Sequence, residues 1–160
     1  MLDVARGREA ARIPVGRGPV QVGFLPDGMR AYVTLRDENA VAAIDTRTRR
    51  VIATIPVGRS PIQLFATPDG RFVYVANQGT EAQPDSTVSV IDTQRNAVVE
   101  TLTTGLGAHG VVVRDDGRRV FIANTFAGTV SVIDVATQRV VGTVRVGAGP
   151  GGITYRARTP

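Results

Sequence analysis

The stretch V-G-R-S-P-I-Q-L-F-A-T-P-D-G-R-F-V-Y-V-A-N (residues 57–77) passes through a polar excursion (78–86) into T-V-S-V-I-D-T-Q-R-N-A-V-V-E-T-L-T-T-G (87–105). Four apolar runs rich in β-branched residues are separated by Pro-Asp-Gly, a polar loop and an Asp-Thr turn. That order reads as four short antiparallel strands. The same text returns on both sides. Pro-Asp-Gly ends at Gly28 and Gly70 and Asp-Asp-Gly at Gly117, in steps of 42 and 47 residues. The acid closing each Ile-Asp run falls at Asp45, Asp92 and Asp134, in steps of 47 and 42. The five extra residues therefore lie between Asn77 and Val88, where residues 78–87, with Gly79, Glu81, Pro84 and Asp85, read as a long loop. Four strands every forty-odd residues is the period of propeller blades.

The repeat frame divides the chain. Residues 17–58, 59–105 and 106–147 are three complete units. Residues 1–16 match the end of a third strand, a turn and a whole fourth strand of a preceding unit. Residues 148–160 match the first strand of a following one, with Gly149-Pro150 on Gly18-Pro19 and Tyr155 on Phe24. The expected fold is all-β: a β-propeller of four-stranded antiparallel blades, three complete, with partial blades at both ends. The second strand of each unit is almost wholly apolar, as befits a strand covered on both faces. Tyr74 and Phe121 share one position in it and are expected to pack between blades.

Composition bounds the chemistry. The 160 residues are 42% hydrophobic, with no Trp and 5% aromatic content, so the core must come from Val, Ile, Leu and Ala. No apolar run is long enough for a membrane span and the N-terminus has no signal-peptide pattern. No cysteine is present, which removes disulfides and thiolate metal sites. All 19 basic residues are arginine and the net charge is +5. The arginines alternate with Asp and Glu rather than forming a block, and no recognition helix or stacking pair accompanies them, so nucleic acid is not an expected partner.

Tyr32-Val33-Thr34, Tyr74-Val75-Ala76-Asn77 and Phe121-Ile122-Ala123-Asn124, flanked by Pro-Asp-Gly and by Thr-Val-Ser-Val-Ile-Asp at 87–92 and 129–134, resemble the YVTN family of β-propeller repeats. The resemblance covers residues 2–155. It implies a secreted, periplasmic or cell-surface location and commonly a seven-bladed disc. Members are mostly binding or surface modules, and similar propellers occur in lactonases, lyases and redox enzymes. In the related lyases a Pro-His-Gly run carries catalytic histidines, and Ala108-His109-Gly110 stands at the corresponding point. His109 is the only histidine, however, and a general base or ligand needs partners that orient it.

Three further features bear on function. Gly105, Gly107, Gly110 and Gly147, Gly149, Gly152 match G-x-G-x-x-G, but both clusters precede a strand rather than a helix, which argues against a dinucleotide and for a sharp link between blades. No cofactor is expected. Asp37, Glu38, Glu81 and Asp85 lie in equivalent loops and are the candidates for a Ca²⁺ site, at a spacing that matches no dedicated calcium loop. Arg17, Arg59, Asn77, Gln78, His109 and Asn124 are expected on a loop-bearing binding face. The leading expectation is a non-catalytic binding or scaffold module, with a protein partner or small ligand on that face. The alternatives are part of a lactonase- or lyase-like enzyme using His109, which needs other polar groups converging on the channel, and a calcium-dependent adhesion module. Three blades do not close a disc, so self-association or membership of a longer propeller is expected.

Overall fold

The computed structural model describes residues 1–156 and is built from antiparallel β-sheet. A two-stranded hairpin, β1 (Leu2–Asp3) and β2 (Arg8–Glu9), precedes three four-stranded sheets. The first blade holds β3 (Pro19–Phe24), β4 (Arg30–Leu35), β5 (Ala40–Asp45) and β6 (Arg50–Pro56). The second holds β7 (Pro61–Ala66), β8 (Phe72–Gly79), β9 (Pro84–Asp92) and β10 (Ala97–Thr103). The third holds β11 (Ala108–Val113), β12 (Arg119–Asn124), β13 (Thr129–Asp134) and β14 (Arg139–Arg145). Within each sheet the strands pair in sequence order. This is a β-propeller architecture.

The turns explain why the repeat folds this way. In each first hairpin the glycine N–H donates to the carbonyl three residues back, at 2.9 Å for Gly28 and 2.8 Å for Gly70 and Gly117. These glycines take φ of +69°, +69° and +70°, which a side chain would strain. The aspartate before each accepts the backbone N–H two residues on, from Met29, Arg71 and Arg118. At the other turn Asp45, Asp92 and Asp134 accept N–H bonds from Thr48, Arg95 and Thr137. Those three acids thus serve turn geometry.

Three expectations change. Residues 78–87 are not a long loop: β8 and β9 continue outward until Gly79 pairs with Pro84, and Thr80 and Gln83 exchange backbone hydrogen bonds around a two-residue tip. The five additional residues lengthen a hairpin. The N-terminal unit has the expected register, since Leu2↔Glu9 and Asp3↔Arg8 repeat Ile44↔Val51 and Asp45↔Arg50, but its fourth strand is only Arg8–Glu9. Residues 148–155 form no strand, because the described chain has no second strand to pair with them.

The core lies between blades. Tyr32, Val41, Ala43 and Ile55 of the first blade meet Leu64, Val73, Val75 and Ile91 of the second. Tyr74, Val88, Val90 and Leu102 of the second meet Val111, Val120, Ile122 and Ile133 of the third. Ile13 and Val15 cover the opposite side of the first blade. Tyr74 is fully buried, as expected, whereas Phe121 is half-buried against Tyr155, their rings stacked 6.3 Å apart. The reason is positional: among the described residues only 151–155 lie on the side where a following blade would cover Phe121.

Candidate functional site

The site residues expected from sequence fall into three environments. Asn77 and Asn124, expected on a binding face, do not reach the surface. Both are fully buried at the ends of β8 and β12. Asn77 Nδ2 donates to Thr87 Oγ1 and Ser89 Oγ, each at 3.0 Å, and Asn124 Nδ2 donates to Thr129 Oγ1 at 3.0 Å and Ser131 Oγ at 2.9 Å. Each amide bridges two neighbouring strands. Gly58 and Gly105 pass so close that a Cβ there would lie 2.4 Å and 2.8 Å from the amide nitrogens.

The loop carboxylates brace the links between blades. Glu38 Oε1 accepts the Arg17 N–H at 2.9 Å, and Asp85 Oδ2 accepts the Arg59 N–H at 2.8 Å. Asp85 Oδ1 also takes the Thr87 N–H and hydroxyl, while Asp37 takes the Arg36 Nε at 3.0 Å. Glu81 sits at the exposed tip of the lengthened hairpin. Gln78 is half-buried in β8 and donates its N–H to the Ser60 carbonyl. Among the described residues no group of three or more His, Asp or Glu side chains gathers into a metal-binding cluster. The chain brings Glu38 to Arg17 and Asp85 to Arg59, and leaves the two pairs on separate blades.

Sequence reasoning missed the contacts that tie blade to blade. Gln21 Oε1 accepts the Leu64 N–H at 2.7 Å, and Gln63 Oε1 accepts the Val111 N–H at 3.3 Å. Tyr32 donates its hydroxyl to Asn96 Oδ1 at 2.9 Å, and Tyr74 to Gln138 Oε1 at 3.0 Å. Burial pushes the Tyr74 hydroxyl up to about 12. Asn96 and Gln138 occupy one position in successive outer turns, both at positive φ. The available signal was the recurrence of Gln and Tyr at matching places in the first two units.

The inner strands of all three blades, with residues 153–155, enclose a cavity of about 510 Å³. That volume lies in the ordinary range for small-ligand sites. Matching positions line it in layers: Phe24, Ala66, Val113 and Tyr155 in one, Gly23, Phe65, Val112 and Thr154 in another, and Pro26, Pro68 and Asp115 at the mouth. Each unit differs where the layers face the cavity. The guanidinium of Arg114 lies 5.8 Å above the Tyr155 ring. Its lining reaches the Pro-Asp-Gly turns through Pro26, Pro68 and Asp115, at the opposite end of the inner strands from the loops expected to bind.

A family model described as a YNCE-like beta-propeller matches residues 4–158. The chain belongs to the YNCE-like β-propeller family. Among solved structures, the YNCE-like chain is similar to Kuenenia stuttgartiensis hydrazine synthase, with a TM-score of 0.78 and 26% identity over 90% of this chain and 40% of that one. It is also similar to the dihydro-heme d1 dehydrogenase NirN in complex with DHE (TM-score 0.76, 16% identity, 94% of this chain and 33% of that one). The RRP9 WD40 repeats give a TM-score of 0.72 at 13% identity over 86% and 41%. The YNCE-like chain thus spans between a third and under half of the length of these proteins. A comparison with curated proteins gives no match. The neighbours include enzymes and WD40 repeats alike, and the two below 25% identity speak for the fold only. No helix among the described residues is long and apolar enough to cross a membrane.

His109 stands at the entry to β11, half-buried beside the backbone of Gly151. Burial holds its imidazole below the usual histidine value, with the Gly151 backbone opposing the shift. Val20, Ile62 and Gly151 fill the matching positions, so the other units supply no acid or base at the equivalent place.

Proposed function

We propose that the chain is a binding module of the propeller type, whose ligand sits on the concave wall of the inner strands. The observation that carries this reading is the cavity of about 510 Å³, where apolar and aromatic side chains from every unit converge. The polar groups offer a contrast. Glu38, Asp85, Asp45, Asp92 and Asp134 are engaged in holding backbone N–H groups, and His109 stands apart. A buried aromatic anchor in a pocket is the usual centre of a recognition surface. The ligand is a small apolar molecule or an apolar protein segment, with Asp115 at the mouth. The resemblance to YVTN repeats favours a secreted, periplasmic or cell-surface position.

Titration with 8-anilinonaphthalene-1-sulfonate tests the site. Saturable fluorescence should be weakened at least several-fold by Phe65→Ser and left nearly unchanged by His109→Gln. Equal binding in wild type and Phe65→Ser would exclude the cavity as the site. A hydrolase or lyase activity abolished by His109→Gln would replace the binding reading with the enzymatic one.

A further inference from the structure

The link that carries the chain into each blade is built three times. Gly16-Arg17-Gly18, Gly58-Arg59-Ser60 and Gly105-Leu106-Gly107 hold one place in the repeat, and the third residue of each takes a positive φ. The connection between the second and third strands of the same blade is bound to it. Arg36, Gln78 and Thr125 donate their N–H groups to the carbonyls of Gly18, Ser60 and Gly107, at 2.9, 3.2 and 2.8 Å. In the first two blades a carboxylate from that connection also takes the N–H of the middle link residue. Glu38 Oε1 lies 2.9 Å from the Arg17 nitrogen, and Asp85 Oδ2 lies 2.8 Å from that of Arg59.

The third blade keeps this frame and loses the acid. Ala127 stands where Glu38 and Asp85 stand, and the Leu106 N–H meets no acceptor among the described residues. The charges around that place go with it. Arg17, whose Nε lies 3.5 Å from Glu38, and Arg59 give way to Leu106. Asp37 gives way to Phe126. The Asp37 carboxyl lies 2.6 Å from where a Cβ on Gly18 would be, and the Phe126 ring lies equally close to one on Gly107. Leu106 is 49% exposed and Phe126 39%. The link joins the second blade to the third, and the groups bonded to it come from these two complete blades.

We infer that Leu106, Phe126 and the Leu106 N–H form a docking site for a segment of a partner protein that carries Asp or Glu beside an apolar residue. The partner's carboxylate takes the place that Glu38 and Asp85 fill in the other units, and its apolar neighbour covers Leu106 and Phe126. The chain itself shows twice that a carboxylate fits this place, at the distance of a charge-assisted hydrogen bond. Water serves the N–H while the site is open. An apolar contact that excludes water must bring an acceptor, because a donor buried without one is costly. Asp85 does not supply it, since its oxygens hold the Arg59 N–H and Thr87. Two apolar side chains flanking one donor fit an extended segment rather than a small ion, and the net charge of +5 favours an acidic one. None of the residues lining the cavity takes part.

Titration of the isotope-labelled 160-residue chain with the blocked tripeptide acetyl-Leu-Glu-Leu-amide at millimolar concentration, followed by amide chemical shifts, tests this. The Leu106 N–H resonance should move downfield and saturate, while that of Arg59, already held by Asp85, stays in place. The matching Leu-Gln-Leu tripeptide should bind at least several-fold more weakly. Ala127→Glu should supply the chain's own acid and abolish the Leu106 response. Phe126→Ser should weaken tripeptide binding several-fold and leave anilinonaphthalene sulfonate fluorescence at the cavity unchanged. Circular dichroism melts verify that both variants fold. An unmoved Leu106 resonance, equal binding of the two tripeptides, or undiminished binding by Ala127→Glu overturns the proposal. So does an equal response to phenylacetate, which would make the site one for a free acid. If a variant fails to fold, the contrast between the two tripeptides on the wild type decides alone.

Discussion

Asn77 and Leu35 occupy the same place in successive blades and are surrounded differently. Asn77 bridges Thr87 and Ser89, and Asn124 bridges Thr129 and Ser131. Where the first blade has Leu35, the two hydroxyl positions are Ala40 and Ala42, all three buried. The three positions change together within one sequence, which is how a polar set and an apolar set avoid mixing. Asn77→Leu alone should cost about 1–3 kcal/mol, because it takes the amide donor away from the buried Ser89 hydroxyl and sets an apolar side chain against Thr87. Adding Thr87→Ala and Ser89→Ala should recover most of that loss, measured by urea unfolding. A triple variant weaker than the single one would refute the coupling. His109 supplies a second prediction at this scale. Its folded-state value lies below the unfolded 6.5, so the unfolded chain takes up a proton first as the pH falls. Stability should therefore decline as the pH drops below about 6.5, and His109→Gln should flatten that decline in a Tm series from neutral to mildly acidic pH. An unchanged slope would mean that the imidazole is as free in the fold as in the unfolded chain.

The innermost strands are joined by side chains rather than by a shared sheet. Gln21 and Gln63 each reach the next innermost strand and satisfy one of its N–H groups. In the third blade the matching residue is Gly110, and residues 152–153 approach it directly instead. Gln21→Ala leaves the Leu64 N–H without its acceptor and should cost about 1–3 kcal/mol. Gly110→Gln, although it restores the repeat, should loosen residues 151–155, seen as faster amide exchange at Ile153 and Tyr155. Unaltered exchange there would show that the terminal segment is held by other contacts. The hairpins themselves were legible in the sequence, because Pro-Asp-Gly and the Asp-Thr turns act within a few residues. Residues 78–87 were misread because Gly79 and Pro84 are poor strand formers taken singly. Here they sit at the last pair of a lengthened ladder, where a glycine at positive φ and a proline without an N–H do no harm.

At the scale of the molecule, the number of blades and their order could be read from the period alone. The relation of one blade to the next could not, because it depends on contacts between residues far apart in sequence. Asn77 and Asn124 looked like loop residues for that reason: each ends an apolar strand, and only the hydroxyls of the neighbouring strand and the close glycine reveal a buried bridge. The cavity was equally hidden, since Phe65 stands where the other units have Gly23, Val112 and Thr154, and a search for recurrence passes over such a departure. The tyrosine ties carry one more implication. Tyr32 waits for Asn96 and Tyr74 for Gln138, each partner 64 residues further along the chain. A ribosome adding about 5–20 residues per second separates each tyrosine from its acceptor by about 3–13 s. During synthesis the first and second blades are therefore each fastened by the far rim of the one made after it, and until that rim emerges each is the looser for its absence.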